Sequence, residues 1–332
     1  MNRILVTGGT GYIGSHTIVE LYEKGYEIDV LDNLFNSKVT VLDKIEEITG
    51  KRPGFHEIDL LDYEKLDKLF EQNEYDLVMH FAGLKAVGES VEQPLRYYEN
   101  NVGGTVNLLK CMEDHDVKRI VFSSSATVYG EQPVSRFDET MNTGLGITNP
   151  YGETKHVIEE MLKDVAESDA DFGAVILRYF NPIGNHPSGL MGEDPNGIPN
   201  NLMPIIMKVA KGEIKELSVF GDDYDTRDGT CIRDYIHVVD LAKGHVAAID
   251  KMSSGVTIYN LGSGNGTSVL EMIKAFEKAS GRELPYKIVE RRAGDLPEMY
   301  ADPSKALKEL GWKTELTVED AMRDTMSYLN SL

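Results

Sequence analysis

The sequence predicts an α/β protein: a doubly wound parallel sheet within residues 1–181, then a smaller mixed α/β C-terminal lobe over 182–332, some of whose segments return to the sheet. Three observations predict it. Short, β-branched apolar runs alternate with longer amphipathic stretches through the first part of the chain, which is the pattern of βαβ units. A glycine-rich turn joins the first apolar run to the first amphipathic stretch. After Asn181 the alternation breaks down, because Pro182, Gly184, Pro187, Gly189, Gly192, Pro195, Gly197 and Pro199 exclude regular structure there.

The expected strands of the sheet are 3–7, 27–31, 54–58, 76–81, 119–123 and 173–178, with helices at 12–24, 39–49, 63–72, 94–114 and 151–168 between them. In the second region helices are expected at 202–211, 239–251, 269–280, 304–309 and 318–328, and strands near 218–220, 256–261 and 286–289. No repeat and no flexible linker separates the two, so a cleft should lie beyond the carboxyl ends of the strands.

The 332 residues carry 34 Lys+Arg against 55 Asp+Glu, a formal charge of −21, which argues against a general binder of nucleic acid. No apolar run is long enough to span a membrane, and Met1-Asn2-Arg3 leads into Ile4-Leu5-Val6 without a secretory layout; a cytoplasmic protein is expected. Cys111 and Cys231 form neither a disulfide framework nor a metal-ligand spacing, and no metal is expected.

Gly8-Gly9-Thr10-Gly11-Tyr12-Ile13-Gly14 follows the first strand and opens a helix. Glycines there permit a tight turn and let backbone N–H groups approach a pyrophosphate at the helix N-terminus. The sheet is therefore expected to be of Rossmann type. Eighteen residues after Gly14, Asp32 ends the second strand; a carboxylate there accepts from ribose hydroxyls and repels a 2′-phosphate, so NAD is expected rather than NADP. Asp59, at the end of the third strand, is a candidate adenine contact or a turn residue.

Tyr151 and Lys155 stand four residues apart on one helix face. Lowering a phenol by about 3 units takes about 4 kcal/mol, which a cation ~4 Å away supplies at an effective dielectric of ~20. Lys155 is expected to be that cation, with help from the nicotinamide. Ser123-Ser124-Ser125 ends the fifth strand, where Ser125 can share a substrate hydroxyl with Tyr151.

These residues resemble the extended short-chain dehydrogenase/reductase family, and within it the 4-epimerases of UDP-hexoses. The resemblance covers nearly the whole chain. It rests on the glycine loop, Asp32-Asn33-Leu34, Phe81-Ala82-Gly83-Leu84-Lys85-Ala86-Val87-Gly88-Glu89-Ser90, Ser123-Ser124-Ser125-Ala126-Thr127-Val128-Tyr129-Gly130, Asn149-Pro150-Tyr151, Arg178-Tyr179-Phe180-Asn181-Pro182, Arg233-Asp234-Tyr235-Ile236-His237-Val238 and Gly294-Asp295-Leu296-Pro297.

The resemblance implies an isomerase of galactose metabolism that interconverts UDP-glucose and UDP-galactose at C4 through a 4-keto sugar. NAD would be tightly held and regenerated each cycle. Tyr151 would serve as base, with Ser125 and Lys155 completing the catalytic set. Beyond Gly8, Gly11, Gly14, Asp32 and Asp59, it implies cofactor contacts from Tyr12, Ile13, Asn33, Asn36, Ser37, Leu60, Phe81, Ala82, Gly83, Lys85, Asn100, Tyr151, Lys155 and Phe180. Substrate contacts are implied for Ser125, Ala126, Thr127, Asn181, Asn200, Asn201, Leu202, Ser218, Val219, Phe220, Arg233, Arg292 and Asp295. With the glycine-loop amides, Lys85, Lys155, Arg233 and Arg292 would make the cleft positive inside an acidic protein.

At the position that gates the sugar C2 substituent, the family resemblance leads one to expect Tyr in glucose/galactose forms and Cys in forms that also take N-acetylhexosamines; this chain has Met299, which implies a secondary activity on UDP-N-acetylhexosamines. An epimerase of another nucleotide sugar, a UDP-hexuronate or UDP-N-acetylglucosamine, is the alternative. A 4,6-dehydratase is disfavoured because those relatives carry Asp-Glu where this chain has Ala126-Thr127, and a non-enzymatic NAD sensor would not need Ser125, Tyr151 and Lys155 together. The family also implies a homodimer through helices 94–114 and 151–168; the apolar stripe Tyr97, Val102, Val106, Leu109 and Met112 could form that face or simply cover the sheet.

Overall fold

The computed structural model describes residues 3–194, 201–292 and 294–331. Seven parallel strands form the large sheet in the order Gly255–Leu261, Gly173–Tyr179, Arg119–Ser125, Leu77–His80, Arg3–Thr7, Glu27–Asp32 and Gly54–Glu57. The order reverses between Arg3–Thr7 and Leu77–His80, which opens a crevice at their carboxyl ends.

The apolar runs are continuous because both faces of the sheet are covered. Alternate residues go to opposite sides: Ile4, Val6, Leu77, Met79, Val121, Val175 and Leu177 enter one core, while Leu5, Val78, Ile120, Phe122, Ala174 and Ile176 enter the other. The first core is closed by helices Tyr12–Glu23, Val41–Thr49 and Val238–Ile249, and the second by Tyr63–Gln72, Gly104–Asp114 and Pro150–Ser168.

Three features differ from the sequence expectation. Strand Gly255–Leu261, expected as part of the second region, runs along Gly173–Tyr179 and becomes the seventh member of the large sheet. The helix expected at 94–114 contains a π-helical turn at Tyr98–Gly103. Asn101 within it accepts from the Leu84 amide at 2.7 Å and donates to the Leu84 carbonyl and to Thr154 Oγ1, so side-chain anchoring selects the widened turn. A second sheet joins Gly266–Ser268, Ile232–His237, Glu298–Ala301 and Arg136–Phe137, with Asn181–Ile183 also paired to Ile232–His237. Most of these strands are only two to four residues long, too short for a periodic signal. Leu217–Phe220 and Tyr286–Val289 pair separately.

Of the stripe on 94–114, Leu109 and Met112 join the core against the sheet with Val102 at its margin, Val106 is half-buried, and Tyr97 is buried with its hydroxyl bonded to Ala86 and Glu89. Cys111 and Cys231 are buried free thiols. Among the described residues no helix is long and apolar enough to cross a membrane.

Candidate active site

All seven parallel strands end on one edge, which places Gly8, Asp32, Phe81, Ser125 and Phe180 along it. The glycine loop forms a cradle in which side chains have no room. Gly8 has φ +70°, and a Cβ there would lie 2.7 Å from the Ala82 nitrogen; one on Gly14 would lie 2.5 Å from the Gly8 carbonyl oxygen. No side chain caps the helix that starts after Gly11. Asp32 closes the loop from the neighbouring strand, its carboxylate accepting from the Thr10 amide at 3.2 Å and from the Leu34 amide at 2.9 Å. Ser37 reaches the same carboxylate and also bonds Thr10 Oγ1. Asp59 holds a turn through the Leu61 amide and takes a hydrogen bond from Asn33, so it is a turn residue that also faces the second strand's end. An uncapped helix start, a side-chain-free loop and a carboxylate beside it fit the pyrophosphate and ribose of a dinucleotide.

The segment after Asn181 crosses this edge as a strap. The Tyr12 hydroxyl donates to the Gly184 carbonyl at 2.5 Å, Lys38 pairs with Asp194, and Lys85 pairs with Glu193 at 2.8 Å. It therefore touches chain that follows the first, second and fourth strands.

Asn149 caps helix Pro150–Ser168 by accepting from the Gly152 amide at 2.9 Å, and Pro150 occupies its first turn. Tyr151 is partly buried beside Ser125, and Lys155 is buried with its Nζ donating to the Ser123 carbonyl at 2.7 Å. Ser125 Oγ accepts from the Thr127 hydroxyl at 3.0 Å and from the Thr127 amide.

One expectation requires correction. The protein's own groups do not depress the Tyr151 phenol: burial pushes it above its ordinary value, and the Ser125 hydroxyl only partly opposes that. Lys155 lies 6.0 Å from the centre of the Tyr151 ring and is itself pushed down to about 8 by burial, which outweighs the support of Glu159.

On the other side of the cleft, Asp295 sits between two arginines. Arg292 Nε donates to it at 2.9 Å and Arg233 Nη2 at 3.4 Å, while Arg233 also holds the Leu296 carbonyl. The cations expected to make the cleft positive are therefore partly neutralised: Lys85 by Glu193, Arg233 and Arg292 by Asp295. Arg292 stacks over Phe220 at 4.7 Å. Asn181 donates to the Asp234 carbonyl, and Asn201 precedes helix Leu202–Ala210 without capping it through its side chain. Ser218 is half-buried, but Val219 points into the lobe's own core, which leaves only its backbone for a ligand. Met299 packs against the small core of Ala126, Val128, Tyr129, Phe137, Phe180 and Ala301, which borders the ends of strands Arg119–Ser125 and Gly173–Tyr179. Asn200 lies outside the described residues.

Residues 4–262 match the model of the NAD dependent epimerase/dehydratase family. The chain belongs to that family. It is 57% identical to a UDP-glucose 4-epimerase of Bacillus subtilis over 99% of this chain and 97% of that protein, and 54% identical to one of Homo sapiens over 97% and 94%. Its fold matches a Bifidobacterium longum UDP-glucose 4-epimerase solved in complex with NAD+ and UDP, with a TM-score of 0.96 at 54% identity over 99% and 98% of the two chains.

In this member of the epimerase/dehydratase family, Glu159 and Glu193 escaped sequence reasoning, and the partners of His80 and Arg178 emerge only in the fold. His80 bridges Thr7 and Thr105 at 2.7 and 2.9 Å, and burial pushes it down to about 3, so it is neutral. Glu193 reaches Lys85, and Glu159 with Arg178 underlies the serine-tipped strand.

Proposed function

We propose that this protein interconverts UDP-glucose and UDP-galactose by NAD-dependent epimerisation at C4 through a 4-keto sugar, in the cytoplasm and as a homodimer. The observation that carries the reading is the Tyr151 phenol beside the Ser125 hydroxyl at the strand end, on the same sheet edge as the glycine cradle. The close relatives bear the UDP-glucose 4-epimerase name, which favours UDP-hexoses over a hexuronate or N-acetylglucosamine as main substrate.

The cradle Gly8–Gly14, Asp32, Asn33, Asn36, Ser37, Asp59, Leu60, Phe81–Gly83, Lys85, Asn100 and Phe180 would hold NAD. A bound NAD would supply the hydride acceptor for C4 and a positive charge near the buried phenol. Tyr151 would hold the proton of the sugar's 4-hydroxyl while C4 is at the ketone level and would return it to the re-formed alcohol. Ser125 orients that hydroxyl, and Lys155 anchors the helix to the strand through the Ser123 carbonyl. Arg233, Arg292 and Asp295 would hold the diphosphate and uridine, and Met299 would lie near the sugar, a reading supported by their mutual contacts and by the packing of Met299 near the strand ends.

Dimer contacts would fall to Val91, Leu95 and Tyr98, which are exposed at and just before the start of the 94–114 segment. The test is incubation of purified protein with UDP-galactose and NMR of the product. UDP-glucose is expected, and Tyr151→Phe should retain fold and NAD while losing roughly 10²–10⁴-fold in kcat. Undiminished turnover in the variant, or no conversion by the wild type, would overturn the reading.

A further inference from the structure

Beneath the catalytic residues lies an ion pair shut off from solvent. Glu159 and Arg178 have 0% and 2% of their side-chain surface exposed, and Arg178 Nη2 meets Glu159 Oε2 at 2.5 Å. Arg178 Nε donates to Glu159 Oε1 at 2.9 Å, and Ser124 Oγ donates to that same oxygen at 2.5 Å. The arginine also rests 4.8 Å over the Tyr129 ring, whose hydroxyl is bonded to Asn260. Buried pairs of this kind contribute little net stability, because desolvation offsets their attraction. A different reason for the pair is therefore needed.

The geometry supplies one. Tyr151, Lys155 and Glu159 recur at i, i+4 and i+8 and share one face of helix Pro150–Ser168. That face meets three consecutive residues of strand Arg119–Ser125: Lys155 holds the Ser123 carbonyl, Glu159 holds the Ser124 hydroxyl, and Tyr151 stands beside Ser125. Arg178 is the register partner of Ser124 on the next strand, so it ties that strand to the same carboxylate.

We propose that Glu159 and Arg178, acting through Ser124, are positioning residues that set the catalytic helix against the serine-tipped strand and so hold Tyr151 on Ser125. Because Tyr151 and Glu159 ride on one helix, a slide or rotation that displaced Tyr151 would also have to break the Glu159 contacts. The inference rests on the epimerase reading given above.

The pair has a second effect on the same residues. The groups facing Lys155 are Tyr151 and Glu159 on its own helix, the Phe122 ring from the fifth strand at 4.8 Å, and His80 from the fourth. His80 is neutral, so Glu159 is the one carboxylate among them that favours a charged Lys155 against burial.

The test replaces both partners, Glu159→Met with Arg178→Met, which leaves no uncompensated charge and should preserve folding. With UDP-galactose as substrate, the double variant is expected to keep its melting temperature and KM. Its kcat should fall at least tenfold, and the alkaline limb of kcat should move toward neutral pH. A 13C NMR titration of the Lys155 Cε should give a lower pKa than in the wild type. Ser124→Ala, which leaves the ion pair intact, should lower kcat severalfold without moving KM, and serves if the double variant does not fold. Wild-type kcat and pH profile in the double variant, or wild-type kcat in Ser124→Ala, would overturn the proposal. A wild type that does not convert UDP-galactose sinks the epimerase reading instead, while the Lys155 titration still reports whether Glu159 supports its charge.

Discussion

Replacing Gly8 by alanine strains the cradle where it is tightest, and the cost has two separable parts. The added Cβ would lie 2.7 Å from the Ala82 nitrogen, 2.9 Å from the Ala82 Cα and 3.0 Å from the Phe81 carbonyl carbon, all of them backbone. Ordinary contact begins at 3.4 Å, so the loop or the 81–82 segment must give by 3.4 − 2.7 = 0.7 Å. The left-handed φ of +70° adds about 1–2 kcal/mol for any side chain. Gly25→Ala is the control, because its φ is +85° but nothing lies within 4 Å of the new methyl group. Gly25→Ala should lose about 1–2 kcal/mol, or roughly 2–6 °C in Tm by calorimetry, and Gly8→Ala more than that because the backbone clash adds to the φ penalty. Only Gly8→Ala should lose bound dinucleotide, at least about tenfold in NAD retained per chain after desalting, because a shift approaching 1 Å at a binding contact is costly. A Gly8→Ala protein that keeps as much NAD as Gly25→Ala would refute the assignment of the cradle.

Three further outcomes are expected. Burial, reinforced by Glu23, raises the Glu20 carboxyl to about 7, against 4.5 in its ordinary state. Its folded pKa lies above the unfolded one, so its contribution to stability is whole below about pH 4.5 and is lost as pH rises through about 7. Glu20→Gln should thus stabilise by about 1 kcal/mol at pH 8 after allowing for its partial exposure, and by nothing at pH 4.5; equal gains at both pH values would contradict the shift. Glu193→Gln removes the charge that holds Lys85 at 2.8 Å and should speed NAD release, measured by the rate of exchange with labelled NAD; an unchanged rate would mean the strap does not retain it. Met299→Cys should raise turnover of UDP-N-acetylgalactosamine relative to UDP-galactose by about tenfold, the scale of one or two methylenes in a pocket, and an unchanged ratio would remove Met299 as a gate.

The alternation of apolar runs with amphipathic stretches was enough to predict a parallel α/β sheet, because strands covered on both faces must be apolar throughout: Ile4 and Val6 face one core and Leu5 the other. The glycine loop was equally legible, since its spacing reports a local backbone need. Tyr151 and Lys155 could be placed on one helix face because four residues make slightly more than one turn.

Relations between distant segments were not legible. Strand Gly255–Leu261 has the same apolar character whether it lies at the edge of the large sheet or in a second lobe, and only its register with Gly173–Tyr179 decides. The short strands of the second sheet are held by neighbours, not by propensity. Local pattern also could not weigh burial against charge. It placed a cation one turn from Tyr151, but the desolvation that raises the phenol depends on everything packed around it. In the same way Glu159 and Arg178 are ordinary charged residues until the fold removes both from water and turns them toward Ser124. Sequence spacing determined which groups share a face; tertiary packing decided how those groups are charged and what holds them in place, because solvation and long-range contact exist only in the assembled chain.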